Sequence, residues 1–257
     1  MGRIKINGIS LFVEVTGSGF PIIFIHGVGG DHQAYARHVI EPLSKNFRTV
    51  ALDCRGHGQS DKPLVFTIED HAEDILGIMD HFRFEKAHLI GVSMGSYIAQ
   101  RVAITAPDRI DKLVLTVTKS NGLTSSVQRL FREHESQIQG LDMHQTILKL
   151  LKYMVYDPQI MKNHLEVFET KLTPDQFKAA NNAIGTFDFR SDLSKITART
   201  LVISGTHDGL NLPEDGKEVA SLIKNARFVE MHYSGHAPMF EEPGTYLSLV
   251  EDFLLTE

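Results

Sequence analysis

Residues 87–107 read AHLIGVSMGSYIAQRVAITAP, and this stretch decides the fold. Residues 87–92 form a short apolar run with branched side chains, as expected of a strand that is covered on both faces. Residues 94–106 have the pattern of a helix, which Pro107 would end. Between the two, residues 91–95 (GVSMG) match G-x-S-x-G on a sharp turn from strand to helix, a geometry that exposes the serine hydroxyl at the end of a sheet.

The same alternation of strands and helices extends along most of the chain. Helical patterns occupy residues 68–84, where Thr67 and Asp70 have nearly the spacing of a capping box, and residues 245–255. We therefore predict an α/β fold, a mostly parallel and doubly wound sheet with right-handed crossovers. Residues 4–15 have the pattern of an antiparallel hairpin at the edge of that sheet. Further apolar runs rich in branched residues predict strands at residues 21–26, 47–53, 113–117, 200–204 and 227–232.

Residues 119–190, named here the lid segment, interrupt this alternation. They contain no convincing strand and predict four helices, at residues 127–138, 143–153, 160–169 and 174–184. Open α/β sheets bind ligands at the carboxyl ends of their strands, so an insertion that leaves such an end would cover the binding site. We predict a helical lid over a core made of residues 1–118 and 191–257. A helical subdomain without a functional role is the alternative.

Two loops supply the partners that a nucleophilic serine requires. Asp208 follows the predicted strand 200–204, and His236 follows the predicted strand 227–232. Taken singly, a loop aspartate is usually a turn residue and a loop histidine is usually solvated. Three strand ends that supply serine, aspartate and histidine in this chain order favour a joint role. We predict Ser93 as nucleophile, His236 as general base and Asp208 as the acid that orients the histidine.

The oxyanion of an acyl-transfer reaction also needs hydrogen-bond donors. The Met94 N–H, at the start of the helix after Ser93, is one candidate. The Val28 N–H, in the glycine-rich loop 26–30 (HGVGG), is the other. A dinucleotide-binding loop would need a third glycine where His32 stands, and no phosphate-loop lysine is present. We therefore expect an oxyanion hole at this loop rather than a nucleotide site.

Several of these segments together resemble the signature blocks of the α/β-hydrolase family. They are residues 26–30, 53–61 (DCRGHGQSD), 91–95 and 234–238 (SGHAP). Residues 53–61 are similar to those of lactonases and esterases like 3-oxoadipate enol-lactonase, and also to those of C–C bond hydrolases. The resemblance implies an α/β-hydrolase fold in which residues 53–61 form a structural turn, so Arg55 and His57 would be scaffold. A serine at position 93 disfavours the epoxide hydrolases and haloalkane dehalogenases, which use an aspartate there.

Composition excludes several classes of protein. The chain has 257 residues, a formal charge of −6 and no basic block, which argues against a nucleic-acid partner. Its longest apolar run is far shorter than the roughly 18–20 residues that cross a bilayer, so no membrane partner is expected. A single cysteine, Cys54, forms no internal disulfide and no multi-thiolate metal site. We expect a soluble, cytoplasmic protein that needs no metal, flavin or nucleotide cofactor.

The sequence thus predicts a serine hydrolase that cleaves an ester or lactone of a small to medium apolar substrate through an acyl-enzyme. The alternatives are a C–C bond hydrolase of a dienol or β-keto acid type, a cofactor-free perhydrolase and a slow-turnover small-molecule receptor. The substrate and the oligomeric state stay open.

Arg190 and Asn121 are nominated for binding an acidic substrate. We interpret several charged or polar side chains as solvated surface. They are Lys112, Lys119, Lys149 and the histidines of predicted helices, which include His32 and His71. Apolar residues of the lid segment are assigned either to a pocket or to the lid's own core: Met143, Tyr153, Met154, Phe168, Phe177, Phe187 and Phe189.

Overall fold

One sheet organises the computed structural model, which describes residues 1–162, 164 and 171–256. Eight strands lie in the order β1-β2-β4-β3-β5-β6-β7-β8. The hairpin β1–β2 is antiparallel and adds to the edge of β4, whereas β4, β3 and β5 to β8 are parallel to one another. This arrangement confirms the predicted mostly parallel α/β sheet. The strands are β1 (Gly2–Ile6), β2 (Ile9–Thr16), β3 (Pro21–Ile25), β4 (Arg48–Leu52), β5 (Ala87–Val92), β6 (Ile110–Thr116), β7 (Arg199–Gly205) and β8 (Ala226–Met231).

Helices connect the parallel strands. The capping box of Thr67 and Asp70 is present at the start of α2 (Ile68–His81), as predicted. The helix between β7 and β8, α9 (Pro213–Leu222), was not predicted. It includes Gly216, where a Cβ would lie 2.3 Å from Ser204 Oγ on β7. None of the helices in the described ranges is long and apolar enough to span a membrane. They are α1 (Glu41–Leu43), α2 (Ile68–His81), α3 (Met94–Thr105), α4 (Ser126–Glu133), α5 (Glu135–Ile138), α6 (Met143–Leu150), α7 (Pro158–Met161), α8 (Pro174–Ala183), α9 (Pro213–Leu222), α10 (Pro238–Glu241) and α11 (Pro243–Leu255).

Both faces of the sheet are buried. On β3, Ile23 and Ile25 belong to the core that packs under α2 and α3, while Ile22 and Phe24 belong to the opposite core with α11. Alternate residues of a strand point to opposite faces, so a strand covered twice needs apolar residues at every position. Burial of each such side chain contributes roughly 1.5–3 kcal/mol. Burial on both faces of the sheet therefore explains why the strand sequences contain unbroken apolar runs.

The described part of the lid segment consists of short helices and loops, with one isolated antiparallel bridge between Asn121 and Asp188. The predicted helix 127–138 is split at His134, whose φ of −123° leaves the helical range between α4 and α5. The predicted helix 143–153 is α6 followed by a 3₁₀ turn, and helix 174–184 is α8. Of the helix predicted at residues 160–169, the first residues belong to α7, and the part at 163 and 165–169 lies outside the described residues. The division into a lid and a two-part core stays a prediction.

Candidate active site

Ser93 lies on the sharp turn between β5 and α3. Its backbone has φ 52° and ψ −119°, in the left-handed range that costs a non-glycine residue conformational energy. The two flanking glycines make this turn sterically possible. A Cβ at Gly91 would lie 2.3 Å from the Gly95 carbonyl oxygen, and one at Gly95 would lie 2.0 Å from the Ile25 carbonyl oxygen. The strained turn predicted from G-x-S-x-G is therefore present.

The structure brings the three predicted residues Ser93, Asp208 and His236 together. Ser93 Oγ is 3.1 Å from His236 Nε2, and His236 Nδ1 is 2.8 Å from Asp208 Oδ2. A carboxylate only accepts hydrogen bonds, so Nδ1 carries the proton and Nε2 presents its lone pair to the serine hydroxyl. This is the arrangement in which a histidine can take the proton of a serine.

The aspartate and the histidine are both held by their loops. Asp208 is 2% exposed, and its Oδ1 accepts hydrogen bonds from the Leu210 N–H at 2.8 Å and the Asn211 N–H at 3.0 Å. On the neighbouring loop, the His236 N–H donates to the Met154 carbonyl oxygen at 2.7 Å. The loops after β7 and β8 also touch, since a Cβ at Gly205 would lie 2.2 Å from the carbonyl oxygen of Gly235. The imidazole is therefore fixed from the backbone and from its Nδ1.

The two predicted oxyanion donors lie beside Ser93. Met94 begins α3 directly after the serine, and its N–H belongs to the first turn of a helix, where amides have no helical acceptor. Val28 follows Gly27, at which a Cβ would lie 3.6 Å from the Ser93 Cβ. Within the described part of the chain, neither N–H donates to another group. Both remain free to bind a substrate oxygen.

A cavity of about 590 Å³ opens over Ser93 and His236. Its size lies in the range of roughly 300–1,000 Å³ that is usual for small-molecule sites. One wall comes from the loop containing Val28, and much of the rest comes from α4, α6 and α8 of the lid segment. The apolar part of the lining includes Val28, Val127, Leu130, Phe131, Ile147, Leu150, Met154, Phe177 and Ile184.

The apolar residues assigned to a pocket or to the lid's own core instead line the cavity or pack against the two cores of the sheet, where they are described. Met154 and Phe177 line the cavity. Phe187 and Phe189 belong to the buried core, and Tyr153 packs against the core on the other face. Phe168 lies outside the described residues, and the same holds for the side chain of Met143.

The prediction that Arg190 and Asn121 bind an acidic substrate was wrong. Neither Arg190 nor Asn121 lines the cavity, and Arg190 instead forms a two-bond contact with the carboxylate of Asp188 at the surface. Lys119, interpreted as solvated, is only 8% exposed and borders the cavity. Its position shortly after β6, at a carboxyl end of the sheet, is the signal that could have indicated this. Lys112 is also buried, with its Nζ bonded to the Leu254 and Thr256 carbonyl oxygens.

Asn211 and Tyr97, which lie beside Ser93, were not predicted from the sequence as site residues. Asn211 Nδ2 donates to the Tyr97 hydroxyl at 2.6 Å and to the Val117 carbonyl oxygen at 2.6 Å, and Asn211 Oδ1 accepts from Ser126 Oγ at 2.8 Å. Burial raises the pKa of Tyr97 well above its usual value, so the phenol stays protonated. Tyr97 and Asn211 both line the cavity, where they add neutral polar groups to an otherwise apolar wall.

The turn at residues 53–61 lies outside the cavity. Arg55 makes two hydrogen bonds to Asp74, at 2.8 and 2.9 Å, and burial lowers the pKa of His57 to about 3. The solvated interpretation of His32 and His71 was wrong, because both are buried and His32 Nδ1 lies 2.7 Å from Asp53 Oδ1. Arg55 thus ties the turn to α2, while Ser60 and Asp61 accept hydrogen bonds from N–H groups of β2.

Comparison with known proteins identifies the family. The chain is 30% identical to the 2-hydroxy-6-oxononadienedioate/2-hydroxy-6-oxononatrienedioate hydrolase 1 of Pseudomonas putida, over 91% of this chain and 87% of that protein. Its residues 21–142 match the family model for the alpha/beta hydrolase fold. The chain belongs to the α/β-hydrolase fold family. It is thus a member of a hydrolase family, as the signature blocks predicted.

Solved structures of other α/β hydrolases agree with this assignment. The enol-lactonase from Burkholderia xenovorans LB400 superposes with a TM-score of 0.84 at 28% identity, over 99% of this chain and 100% of that one. A thermophilic esterase from Thermogutta terrifontis, solved with malate bound, gives a TM-score of 0.83 at 26% identity, over 99% and 98% of the two chains. The predicted likeness to enol-lactonase-like enzymes is confirmed, and the relatives' names differ in the bond that is cleaved.

Proposed function

We propose that this α/β hydrolase cleaves a carboxylic ester or lactone of a small to medium, largely apolar substrate, with Ser93 as the nucleophile. The observation that carries the proposal is the chain of contacts from Ser93 Oγ through His236 to Asp208, at 3.1 and 2.8 Å, on the floor of a largely apolar cavity. In this proposal the lid segment forms the cavity's outer wall and sets the size of the acyl group.

His236 Nε2 takes the proton of Ser93 as the serine oxygen attacks the substrate carbonyl carbon. Asp208 keeps the imidazole in the tautomer that accepts this proton and stabilises the imidazolium that forms. The Val28 and Met94 N–H groups bind the oxyanion of the tetrahedral intermediate. His236 then donates its proton to the departing alcohol oxygen, which leaves an acyl-enzyme on Ser93. Water, deprotonated by His236, hydrolyses that ester and regenerates the serine.

Steady-state hydrolysis of 4-nitrophenyl esters, from acetate to octanoate, together with simple lactones, tests this proposal. Ser93→Ala is expected to lower kcat by roughly 10⁴–10⁶, as the loss of a nucleophile does in other triads. Ser125→Ala is a matched control, since this serine borders the same cavity, caps α4 through the Gln128 N–H and has no histidine partner among the described residues; it should lose less than about tenfold. A folded Ser93→Ala variant with near wild-type turnover would contradict the mechanism.

Hydrolysis of a C–C bond next to a carbonyl is the second candidate for the same residues. It is favoured by Lys119 on the cavity wall and by the likeness to a dienedioate hydrolase. A 2-hydroxy-6-oxodienoate, whose conjugated absorption disappears on cleavage, distinguishes the two. Faster Ser93-dependent cleavage of this acid than of every ester and lactone in the panel would favour the C–C bond hydrolase.

A further inference from the structure

Lys119 places a buried positive charge at the wall of the Ser93 cavity. Its Nζ donates to the Thr124 carbonyl oxygen at 2.8 Å and to Ser126 Oγ at 3.1 Å. An ammonium group has three N–H donors, so one donor is left after these two bonds. The centroid of the Tyr97 ring, beside Ser93 in the same cavity, is 6.0 Å from the Nζ.

The Lys119 charge has no direct counter-ion among the described residues. Within residues 1–162, 164 and 171–256, no carboxylate forms an ion pair with Lys119, and both of its hydrogen-bond partners are neutral oxygens. The charges that act on it from farther away are Asp215, which takes a hydrogen bond from the Leu212 N–H, and Arg129. Burial lowers the pKa of Lys119, which is the expected cost of removing an ammonium group from water without an anion beside it.

The surroundings of Lys119 in the cavity favour an anion. No aspartate or glutamate belongs to the described lining, and Lys119 supplies its one lysine or arginine charge. Helix α4 begins at Ser126, one of the two groups bonded to Lys119, and a helix N-terminus adds partial positive charge. The remaining wall is largely apolar, which strengthens an interaction between opposite charges.

We propose that Lys119 binds a carboxylate on the acyl part of the substrate, so that the preferred substrate is a half-ester or lactone that carries a second carboxylate on its acyl chain. The inference rests on the proposed function of Ser93, because it assumes that the same cavity holds the ester bond. An incoming carboxylate takes the unused N–H of Lys119 and supplies the missing counter-charge. The apolar part of the lining contacts the methylene chain that joins the two ends of the acid.

A purely structural role would predict a different result. Lys119 also ties residues 124–126 to the end of β6, and its loss would lower stability for that reason alone. If Lys119 had only this structural role, its loss would change the rates for a charged and a neutral ester of the same length by similar factors. The ratio of the two rates therefore reports on carboxylate binding even where stability changes.

The experiment compares the 4-nitrophenyl half-ester of glutaric acid with neutral 4-nitrophenyl pentanoate. Wild type is expected to have a kcat/KM about tenfold or more higher for the half-ester, the size of one charge-assisted hydrogen bond. In Lys119→Met this ratio should fall to about one, mainly through a higher KM for the anionic ester. Lys119→Arg should keep part of the preference, and Lys149→Met, a matched change at an exposed lysine of α6, should keep all of it.

Three results would overturn the proposal. They are a wild type without preference for the half-ester, a Lys119→Met variant that keeps the preference, and a preference that appears only when the carboxylate is moved to the alcohol part of the ester. Where Lys119→Met does not fold, Lys119→Gln and Lys119→Arg give the same comparison between a neutral and a charged side chain.

Calorimetric titration separates this proposal from the proposed function. Glutarate should bind wild type more tightly than its neutral diamide does, and the difference should disappear in Lys119→Met. If no ester shows Ser93-dependent turnover but glutarate binding depends on Lys119, the proposed function fails and the carboxylate site stands. If esters are cleaved by Ser93 without any preference for an anion, the carboxylate site fails and the proposed function stands.

Discussion

Replacing His57 with glutamine is expected to make the fold less sensitive to acid. His57 is buried in the turn after β4, with Nδ1 at 3.0 Å from the Arg55 carbonyl oxygen. Its Nε2 has no hydrogen-bond partner in the described part of the chain. Burial, and to a smaller extent the neighbouring His26, lowers the pKa of His57 from 6.5 to about 3. Between these pH values, the unfolded chain accepts a proton that the folded chain excludes.

The sign and size of the effect follow from this difference in proton binding. Stability falls with falling pH wherever the unfolded state binds more protons. Above about pH 6.5, His57 therefore has no effect on how the free energy of unfolding varies with pH. Below that, it lowers the free energy of unfolding by about 1.4 kcal/mol for each pH unit, until about pH 3, where the decrease ends. From pH 6.5 to about pH 5 the loss is about 2 kcal/mol, a large part of the 5–15 kcal/mol that stabilises a typical domain.

Urea unfolding at about pH 7.5 and about pH 5 measures this loss. His57→Gln should lose about 2 kcal/mol less than wild type between the two conditions, whatever its stability at the higher pH. The other buried histidines, His26, His32, His71 and His88, are present in both proteins, so their contributions largely cancel. His81→Gln, at an exposed histidine of α2, should behave like wild type. Equal losses in His57→Gln and wild type would refute the reasoning.

Three further predictions concern the site and its supports. Asp208→Asn should lower kcat/KM by about 10⁴ with the fold intact, because an amide at this position favours the wrong imidazole tautomer; circular dichroism and ester kinetics check both parts. Gly95→Ala should destabilise the fold by more than about 3 kcal/mol in urea unfolding, since its Cβ would lie 2.0 Å from a backbone oxygen, whereas Gly244→Ala meets nothing within 4 Å and should be neutral. Glu241→Gln should lower both stability and kcat/KM, because the buried carboxylate accepts from the Tyr156 N–H at 2.6 Å and from the Gly235 N–H at 2.7 Å, next to His236; unchanged kinetics would contradict this.

The sequence predicted those features that depend on local pattern. Ser93, with glycines on both sides between a buried strand and a helix, specifies its own turn, and each strand run indicates its own position. Asp208 and His236 each follow a strand directly, so the shared direction of parallel strands brings their loops to one edge of the sheet. The cytoplasmic location is a further expectation and stays a prediction.

Other features depend on contacts between distant segments. Lys119 and His32 have polar side chains that normally indicate surface, and only the packing of the lid segment and of Asp53 buries them. The break of the lid helices at His134 and the presence of α9 were also not predicted. In α9, Gly216 weakens the local helical pattern of the sequence. A glycine is needed there because β7 approaches too closely for a side chain. Local periodicity carries no information on such contacts.

The most direct test of the central claim is to look for the acyl group on Ser93. Wild type is mixed with 4-nitrophenyl hexanoate, quenched with acid during turnover, and its peptides are analysed by mass spectrometry, with Ser93→Ala as control. The account predicts a hexanoyl group on the peptide that contains Ser93, and none on any peptide of the variant. A hexanoyl group on another residue that forms and decays at the rate of turnover, or full turnover with no acylated peptide, would contradict it.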